Sequence, residues 1–457
     1  MAVPGVPYWM TTGDPSIEPP LAGRTDADVV IVGGGFTGLW TAIQLTDTDP
    51  GLRIELLEQE AVGFGASGRN GGFCEASLTH GLANGLRHFP DEVELLEREG
   101  VANLAAIVAF TRDHDIDCDL EATGTLRVAD QPYQVEEFRE WVEVARRHGL
   151  ELRFLDREAI QAEVHSPRWL AGIAAPPSDN VMVNPAKLIW GLKRVALERG
   201  VRIRERTRAT AIEEAHSGVA VTTTDGLVRA GRAVIATSAY SGWRRNLRSL
   251  FVPVYDYVLV SEPLSREQRA AIGWAGRQGM SDSNNRFHYF RLTADDRILW
   301  GGYDAIHYPG SRVGPAYDTR PATFALLERQ FGETFPQLAG LPFPYRWGGA
   351  IDTTTRFTVT VGTSMGGRVV HALGYTGLGV GASRWAAGLV RDHILRPDSE
   401  LLRLRFARSR PFPFPPEPLR TLAVEGMRHE LARADRNSGR RGLVLRTLDH
   451  LGIGFDS

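Results

Sequence analysis

Lysine is almost missing from this chain. Of its 52 basic residues only Lys187 and Lys193 are lysines, and the rest are arginines. A genome that favours arginine accounts for the bias, yet it limits the chemistry. Arginine does not release its proton in a protein, so any step needing a neutral amine side chain has two candidates. Cysteine is as scarce. Cys74 and Cys118 are too few for a disulfide framework, and with no CxxC or Cys/His cluster, no metal is expected. Apolar runs such as residues 101–110 fall well short of the ~20 residues that cross a bilayer. Residues 1–21 are proline-rich and lack the basic head and apolar core of a secretory leader. The net charge of −3 excludes nucleic-acid binding through bulk positive charge. The expectation is a soluble, cytoplasmic protein. Its 457 residues, 43% hydrophobic and 23% charged, suit two or three globular domains.

What is present begins at residues 28–38, DVVIVGGGFTG. Residues 29–32 form a short, continuous apolar run, as in a strand buried on both faces of a parallel sheet. Gly33, Gly35 and Gly38 follow in GxGxxG spacing, and residues 39–45 suit a helix. Gly33 permits the tight turn, Gly35 lets backbone approach a pyrophosphate, and Gly38 lets helix and strand pack closely. The helix start, with Phe36 and Thr37, offers free N–H groups and its dipole to phosphates. Residues 53–58 (RIELLE) supply a second strand, ending in Glu58 and followed by Gln59. A carboxylate there accepts the adenosine ribose hydroxyls. Strand, glycines, helix, strand and acid in this order predict a dinucleotide site.

Residues 63–72, GFGASGRNGG, form a second glycine-rich stretch. A soluble nicotinamide cofactor does not call for one so close to the first. A flavin deep in the fold does, because backbone must pass near the pyrophosphate and the isoalloxazine edge. With this SGRNGG run the chain resembles the D-amino-acid oxidase superfamily of FAD-dependent amine oxidoreductases, and within it the γ-glutamylputrescine oxidoreductase branch. Further likeness lies in Tyr8-Trp9, residues 124–129 (GTLRVA), 184–191 (NPAKLIWG), 285–302 (NRFHYFRLTADDRILWGG) and 374–380 (GYTGLGV).

The resemblance implies an α/β protein in which a Rossmann-like FAD-binding domain is interleaved with an α+β substrate domain built on an antiparallel sheet. The FAD domain is expected at residues 1–75, 185–249 and 342–400, and the substrate domain at 76–184 and 250–341. Residues 401–457 carry 11 arginines against 6 acids. That mixture reads as a solvated helix packed on the surface rather than an anion-binding tail. FAD contacts are expected from Gly65, Ala66, Ser67, Arg69, Asn70, Gly71 and Gly72, in addition to the first loop. Ala209, Ala236 and Gly349 are expected beside the cofactor, as are Gly374, Gly377, Leu378, Gly379 and Val380, which begin a predicted helix. Its N-terminal dipole would offset the charge that develops at the flavin N1–C2=O edge.

The expected reaction is hydride transfer from the carbon of a primary or secondary amine to flavin N5, then hydrolysis of the imine. A D-amino-acid or N-methylglycine enzyme is the alternative, as is a flavoprotein whose FAD is structural. His288 is the expected catalytic residue, because the resemblance aligns it with a position whose aromatic side chain lines the family's active site, and strand alternation places Phe290, also expected at the substrate, on the same face. Glu75, Tyr255, Tyr257, Trp347 and Tyr375 are expected around the substrate. Glu75 stands near where sarcosine-type relatives carry a carboxylate-binding arginine, which favours a cation. Those relatives also attach flavin through a downstream cysteine; this chain has none there, so FAD should be noncovalent. Leu299 stands near the position of the lysine that activates oxygen in several oxidases. The acceptor is therefore left between O₂ and an electron carrier.

Overall fold

The computed structural model describes residues 5–450. Two eight-stranded sheets organise it, joined by a two-stranded ribbon of Phe73–Glu75 and Asn180–Met182. The first sheet centres on Gly23–Val32, paired in parallel with Gly226–Ile235 on one side and Ile54–Leu57 on the other. Val369–Leu373 and Arg202–Arg204 extend it in parallel, and Thr360–Ser364 closes one edge antiparallel. The apolar runs explain the arrangement. All four residues of Ile54–Leu57 are buried, including Glu55, whose carboxylate is held by Arg202 at 2.7 Å and Arg204 at 3.3 Å. Such strands need cover on both faces. Helices Phe36–Thr48, Pro185–Glu198 and Gly379–Leu395 cover one face. An antiparallel meander, Ala209–Ala215 with Gly218–Thr223, helps cover the other.

The second sheet runs Tyr345–Thr353, Val252–Val260, Ile298–Gly302, His288–Leu292, Gly279–Asp282, Thr125–Ala129, Ala171–Ala175 and Arg153–Leu155. All neighbours are antiparallel except Gly279–Asp282 with Thr125–Ala129. One face packs on an aromatic core that includes Trp169, Trp274, Phe290, Trp300 and Phe335, backed by helix Pro321–Thr334. The opposite face is left to look toward the first sheet. The site lies between them.

Two boundaries differ from the sequence expectation. Tyr345–Thr353, placed with the FAD domain, pairs over nine residues with Val252–Val260 and belongs to the second sheet. Helix Val93–Asp113, placed with the substrate domain, buries Leu96, Leu104 and Ile107 in the core of the first sheet. Its Gly100 permits the approach, since a Cβ there would lie 1.9 Å from the Ala76 carbonyl oxygen. The extension contains helix Leu419–Arg436; its last seven residues, 451–457, lie outside the described residues.

Candidate active site

One continuous cavity of about 1610 Å³ runs from the first glycine loop to the exposed face of the second sheet. Its nucleotide end is made largely of backbone. Gly33 has φ +114, and a Cβ there would meet the Ala236 carbonyl oxygen at 2.4 Å; one on Gly38 would meet the Gly33 oxygen at 1.9 Å. Both positions therefore exclude any side chain. The N-cap of the Phe36–Thr48 helix is Gly35, which supplies no side-chain cap. Among the described residues Ser67 answers this helix end, its Oγ accepting from Phe36 N at 3.0 Å. Glu58 is enclosed, and burial raises its carboxyl pKa. Its two oxygens accept from Gly34 N at 2.7 Å and Glu60 N at 2.9 Å. It lines the cavity with Gln59 and Ala209.

The second glycine loop is stapled from behind. Arg69 bonds Phe64 O and Gly348 O and pairs with Asp318 at 2.9 Å, with both side chains buried. Asn70 Nδ2 donates to Ala66 O and Ser67 O, while its Oδ1 accepts from Gly72 N. Two indoles finish the staple: Trp9 Nε1 donates to Asn70 O and Trp347 Nε1 to Arg69 O. Gly65, Ala66, Ser67, Arg69, Asn70 and Gly71 consequently line the cavity. Gly72 does not; its φ of +79 and its close approach to Val183 O make it the turn that aims the others.

Beyond this loop lies the turn at residues 374–378, with positive φ at Gly374, Thr376 and Gly377. Buried Asp352 holds it, accepting from Gly374 N at 2.5 Å and Tyr375 N at 3.3 Å. The Gly379–Leu395 helix that follows has no side-chain cap and no acid in its first turn. Gly377, Leu378, Gly379 and Val380 line the cavity there, as do Ala236, Gly349 and Tyr375. An uncapped helix N-terminus open to a cavity presents positive potential. Gly374 sits behind the turn, where a Cβ would strike Thr354.

The second sheet supplies the side-chain wall, and here the expectation is corrected. His288 faces away from the cavity. Its Nδ1 lies 2.6 Å from Asp282 and its Nε2 3.1 Å from Gln330, with the ring stacked on Trp300 and Tyr303. Phe290 shares that face and is wholly buried in the aromatic core. Tyr255 and Tyr257 also turn outward: Tyr255 OH bonds Gly314, and Tyr257 OH bonds Tyr308 OH and Tyr317 O. Trp347 is the staple described above. For His288, Phe290, Tyr255 and Tyr257 the physical reason is shared. Alternation gives two faces per strand without saying which is covered, and Pro321–Thr334 covers the face carrying the larger aromatics.

The cavity face carries Tyr289 and Asp256 instead. Tyr289 OH donates to Asp256 Oδ2 at 2.5 Å, and Tyr257 N donates to Asp256 Oδ1 at 2.8 Å. Burial pushes Asp256 up to about 6, against the lowering effect of these bonds. The Tyr289 ring is clamped between glycines; a Cβ on either Gly71 or Gly301 would lie 2.7 Å from it. Sequence reasoning missed both residues. A usable signal was present: in residues 252–260, VPVYDYVLV, Asp256 is the one ionisable carboxylate in an otherwise apolar and aromatic strand.

Glu75 does line the cavity, with Arg127 from the Thr125–Ala129 strand. The C-terminal extension also reaches the site, contributing Val424, Met427, Arg428 and Leu431 to its edge. Asp435 anchors this helix by accepting from Asn285 N, Asn285 Nδ2 and Arg286 N. The tail is therefore more than surface packing. Neither cysteine lines the cavity; both are buried, and burial raises both thiols, Cys118 to about 12. Among the described residues no group of acids, histidines or cysteines is arranged to hold a metal, and no helix is long and apolar enough to cross a membrane.

The chain is similar to the probable oxidoreductase OrdL of Rhizobium meliloti, 29% identical over 418 residues, covering 89% of this chain and 92% of that protein. It is 30% identical over 402 residues to the gamma-glutamylputrescine oxidoreductase of Escherichia coli, covering 85% of this chain and 88% of that one. In fold it matches the glycine oxidase of Geobacillus kaustophilus with a TM-score of 0.69 at 20% identity, covering 84% of this chain and 99% of that one. Residues 28–393, the span from the buried strand through the helix after the last turn, match the DAO family, and the chain belongs to these FAD-dependent oxidoreductases.

Proposed function

We propose that this enzyme oxidises a primary or secondary amine to the imine, with noncovalently held FAD, and that water then hydrolyses the imine. The residues present fit the cofactor. Gly33 and Gly38 have no room for side chains, two helix N-termini whose own N-cap residues supply no side-chain bond open into one cavity, and neither cysteine lines it. Glu58 would hold the ribose, the Phe36–Thr48 helix start the pyrophosphate, and residues 377–380 the pyrimidine edge. FAD, when bound, accepts the hydride equivalent from the carbon next to nitrogen.

The chain's own part is positioning and proton handling. An ammonium must lose a proton before its carbon can release hydride, and we assign that proton to Asp256, a carboxylate on the cavity face. With a pKa of about 6 the carboxylate is ionised at neutral pH, and the Tyr289 hydroxyl fixes its direction. The Tyr289–Asp256 pair in the same cavity as the nucleotide cradle is the observation that carries this reading. The relatives' names support it, since one is an oxidoreductase of an amine, gamma-glutamylputrescine.

Anaerobic mixing tests it. Amines should bleach the yellow, FAD-loaded protein, while a flavin left oxidised by polyamines, their γ-glutamyl derivatives, simple amines and amino acids would refute it. Readmitting air then distinguishes acceptors. Lys187 pairs with Asp119 and Lys193 with Glu205, away from the cavity, and Leu299 is buried. We therefore expect slow reoxidation by oxygen and faster reoxidation by an artificial electron carrier.

A further inference from the structure

One edge of the cavity is closed by a segment outside the span that matches the family. Helix Leu419–Arg436 lies beyond residue 393, yet Val424, Met427 and Leu431 line the cavity. Their spacing of three and four positions puts them on one stripe of the helix. Three clamps hold that stripe in place. Asp435 accepts from Asn285 N and Arg286 N, Arg428 Nη1 pairs with Asp304 at 3.2 Å, and Glu417 accepts from Gly310 N at 3.2 Å, 3.5 Å from His307 Nε2. Such anchoring makes the helix a fitted wall of the site.

A chain of contacts joins this wall to the reacting face. Phe287 lies two positions before Tyr289 and also lines the cavity. Its carbonyl accepts from Tyr303 N at 2.7 Å, and Asp304, next to Tyr303, is the partner of Arg428 on the helix. Tyr303 has φ +65, in the left-handed region that costs a bulky residue free energy. Its ring is held at the cavity edge by stacking on His288 and by the Arg286 guanidinium, 4.2 Å from the ring centre and bonded to the hydroxyl at 2.7 Å. The charges along this edge answer one another. Arg286 approaches Asp435 at 3.9 Å, Arg428 also pairs with Glu425, and Glu417 accepts from Thr421 N and Oγ1. What remains open to a ligand is chiefly carbon, with Val424 and Met427 only half-buried. Carbon in a cavity gains by being covered with carbon, and methionine adapts its shape to do so.

We propose that Val424 and Met427 are specificity-determining residues, and that with Leu431, Phe287 and Tyr303 they form an apolar subsite for an uncharged hydrocarbon substituent of the amine. This rests on the amine reading above and adds the substrate class: an alkylamine or arylalkylamine, its nitrogen at Tyr289–Asp256 and its carbon chain toward the C-terminal helix. Phe287 and Tyr289 stand about 7 Å apart along the chain, so a substituent of about four carbons or more is needed to reach the helix.

The test uses the full-length, FAD-loaded enzyme and the primary n-alkylamines from propylamine to octylamine. Once the chain reaches the helix, kcat/KM should rise about fourfold for each added methylene, chiefly through KM. In Met427→Gln the octylamine-to-propylamine ratio should fall about tenfold, and Met427→Leu should keep it. As a reading independent of turnover, alkyltrimethylammonium ions, whose nitrogen has no proton to lose, are titrated against the flavin absorbance. The octyl ion should bind about tenfold or more tightly than the propyl ion in the wild type, and this difference should shrink in Met427→Gln. Bound flavin content verifies that each variant is folded, and Val424→Ser carries the same test should Met427→Gln fail to fold. A wild type indifferent to chain length, or a preference unchanged in the folded variant, overturns the proposal. Failure of every amine to reduce the flavin would instead strike the amine reading, with alkyltrimethylammonium binding still scoring the apolar subsite.

Discussion

The two ends of the cavity are built from different materials. At the nucleotide end, the contacts come from N–H groups, tight turns and helix starts, and side chains are mostly excluded. At the substrate end, they come from side chains on the strands of a second sheet. Backbone recognition demands glycine at fixed spacing, because only glycine lets a carbonyl come within contact of the next Cα. Side-chain recognition makes no such demand, and a strand can present either face. The first end should therefore be intolerant of any substitution, and the second should respond residue by residue.

The sharpest break should come at Gly38. A valine there would collide with the Gly33 carbonyl oxygen, which lies 1.9 Å from where its Cβ would stand. Gly38→Val should be recovered without flavin, as read from the visible absorbance of purified protein. Next is Asp256→Asn, which keeps the shape but removes the proton acceptor. We expect a loss in kcat on the order of 100-fold or more. The wild-type kcat/KM should fall as pH drops through about 6, where Asp256 takes up its proton, and this limb should vanish in the variant.

The same group has the opposite sign for stability. A carboxyl raised from its ordinary value near 4 to about 6 binds its proton more tightly in the folded state. Its contribution is full below the ordinary value and is lost as pH rises through about 6. The Tm of Asp256→Asn relative to wild type should accordingly improve between those limits.

How legible each end was follows from these materials. The Gly33, Gly35 and Gly38 spacing, the Val29–Val32 run and Glu58 are local signals with one physical meaning, and the structure places them together. Helix Pro185–Glu198 and strand Val252–Val260 were likewise legible from apolar spacing and flanking breakers. His288, Phe290, Tyr255 and Tyr257 were read on the wrong face, because only the docking of Pro321–Thr334 decides which face is covered. Trp347 looked like a pocket aromatic, but its indole N–H holds the Arg69 carbonyl. The membership of Tyr345–Thr353 in the second sheet depends on pairing with a strand some ninety positions earlier, which no local pattern encodes.

Smaller effects test the edge of the side-chain end. Asp435→Ala removes the acceptor that ties Leu419–Arg436 to residues 285 and 286. KM should rise about threefold to tenfold with little change in flavin content, as expected for loss of a charged hydrogen-bonded anchor at the rim. His288→Asn should change kcat least, within about threefold, while lowering Tm through the loss of a buried, bonded ring, a cost of about 1–3 kcal/mol.

The most direct measurement is the rate of flavin reduction under anaerobic rapid mixing, with one amine, in wild type, Asp256→Asn and His288→Asn. Proton handling at the Tyr289–Asp256 face predicts that reduction slows on the order of 100-fold in Asp256→Asn and stays near the wild-type rate in His288→Asn. Fast reduction in Asp256→Asn together with slow reduction in His288→Asn would contradict it.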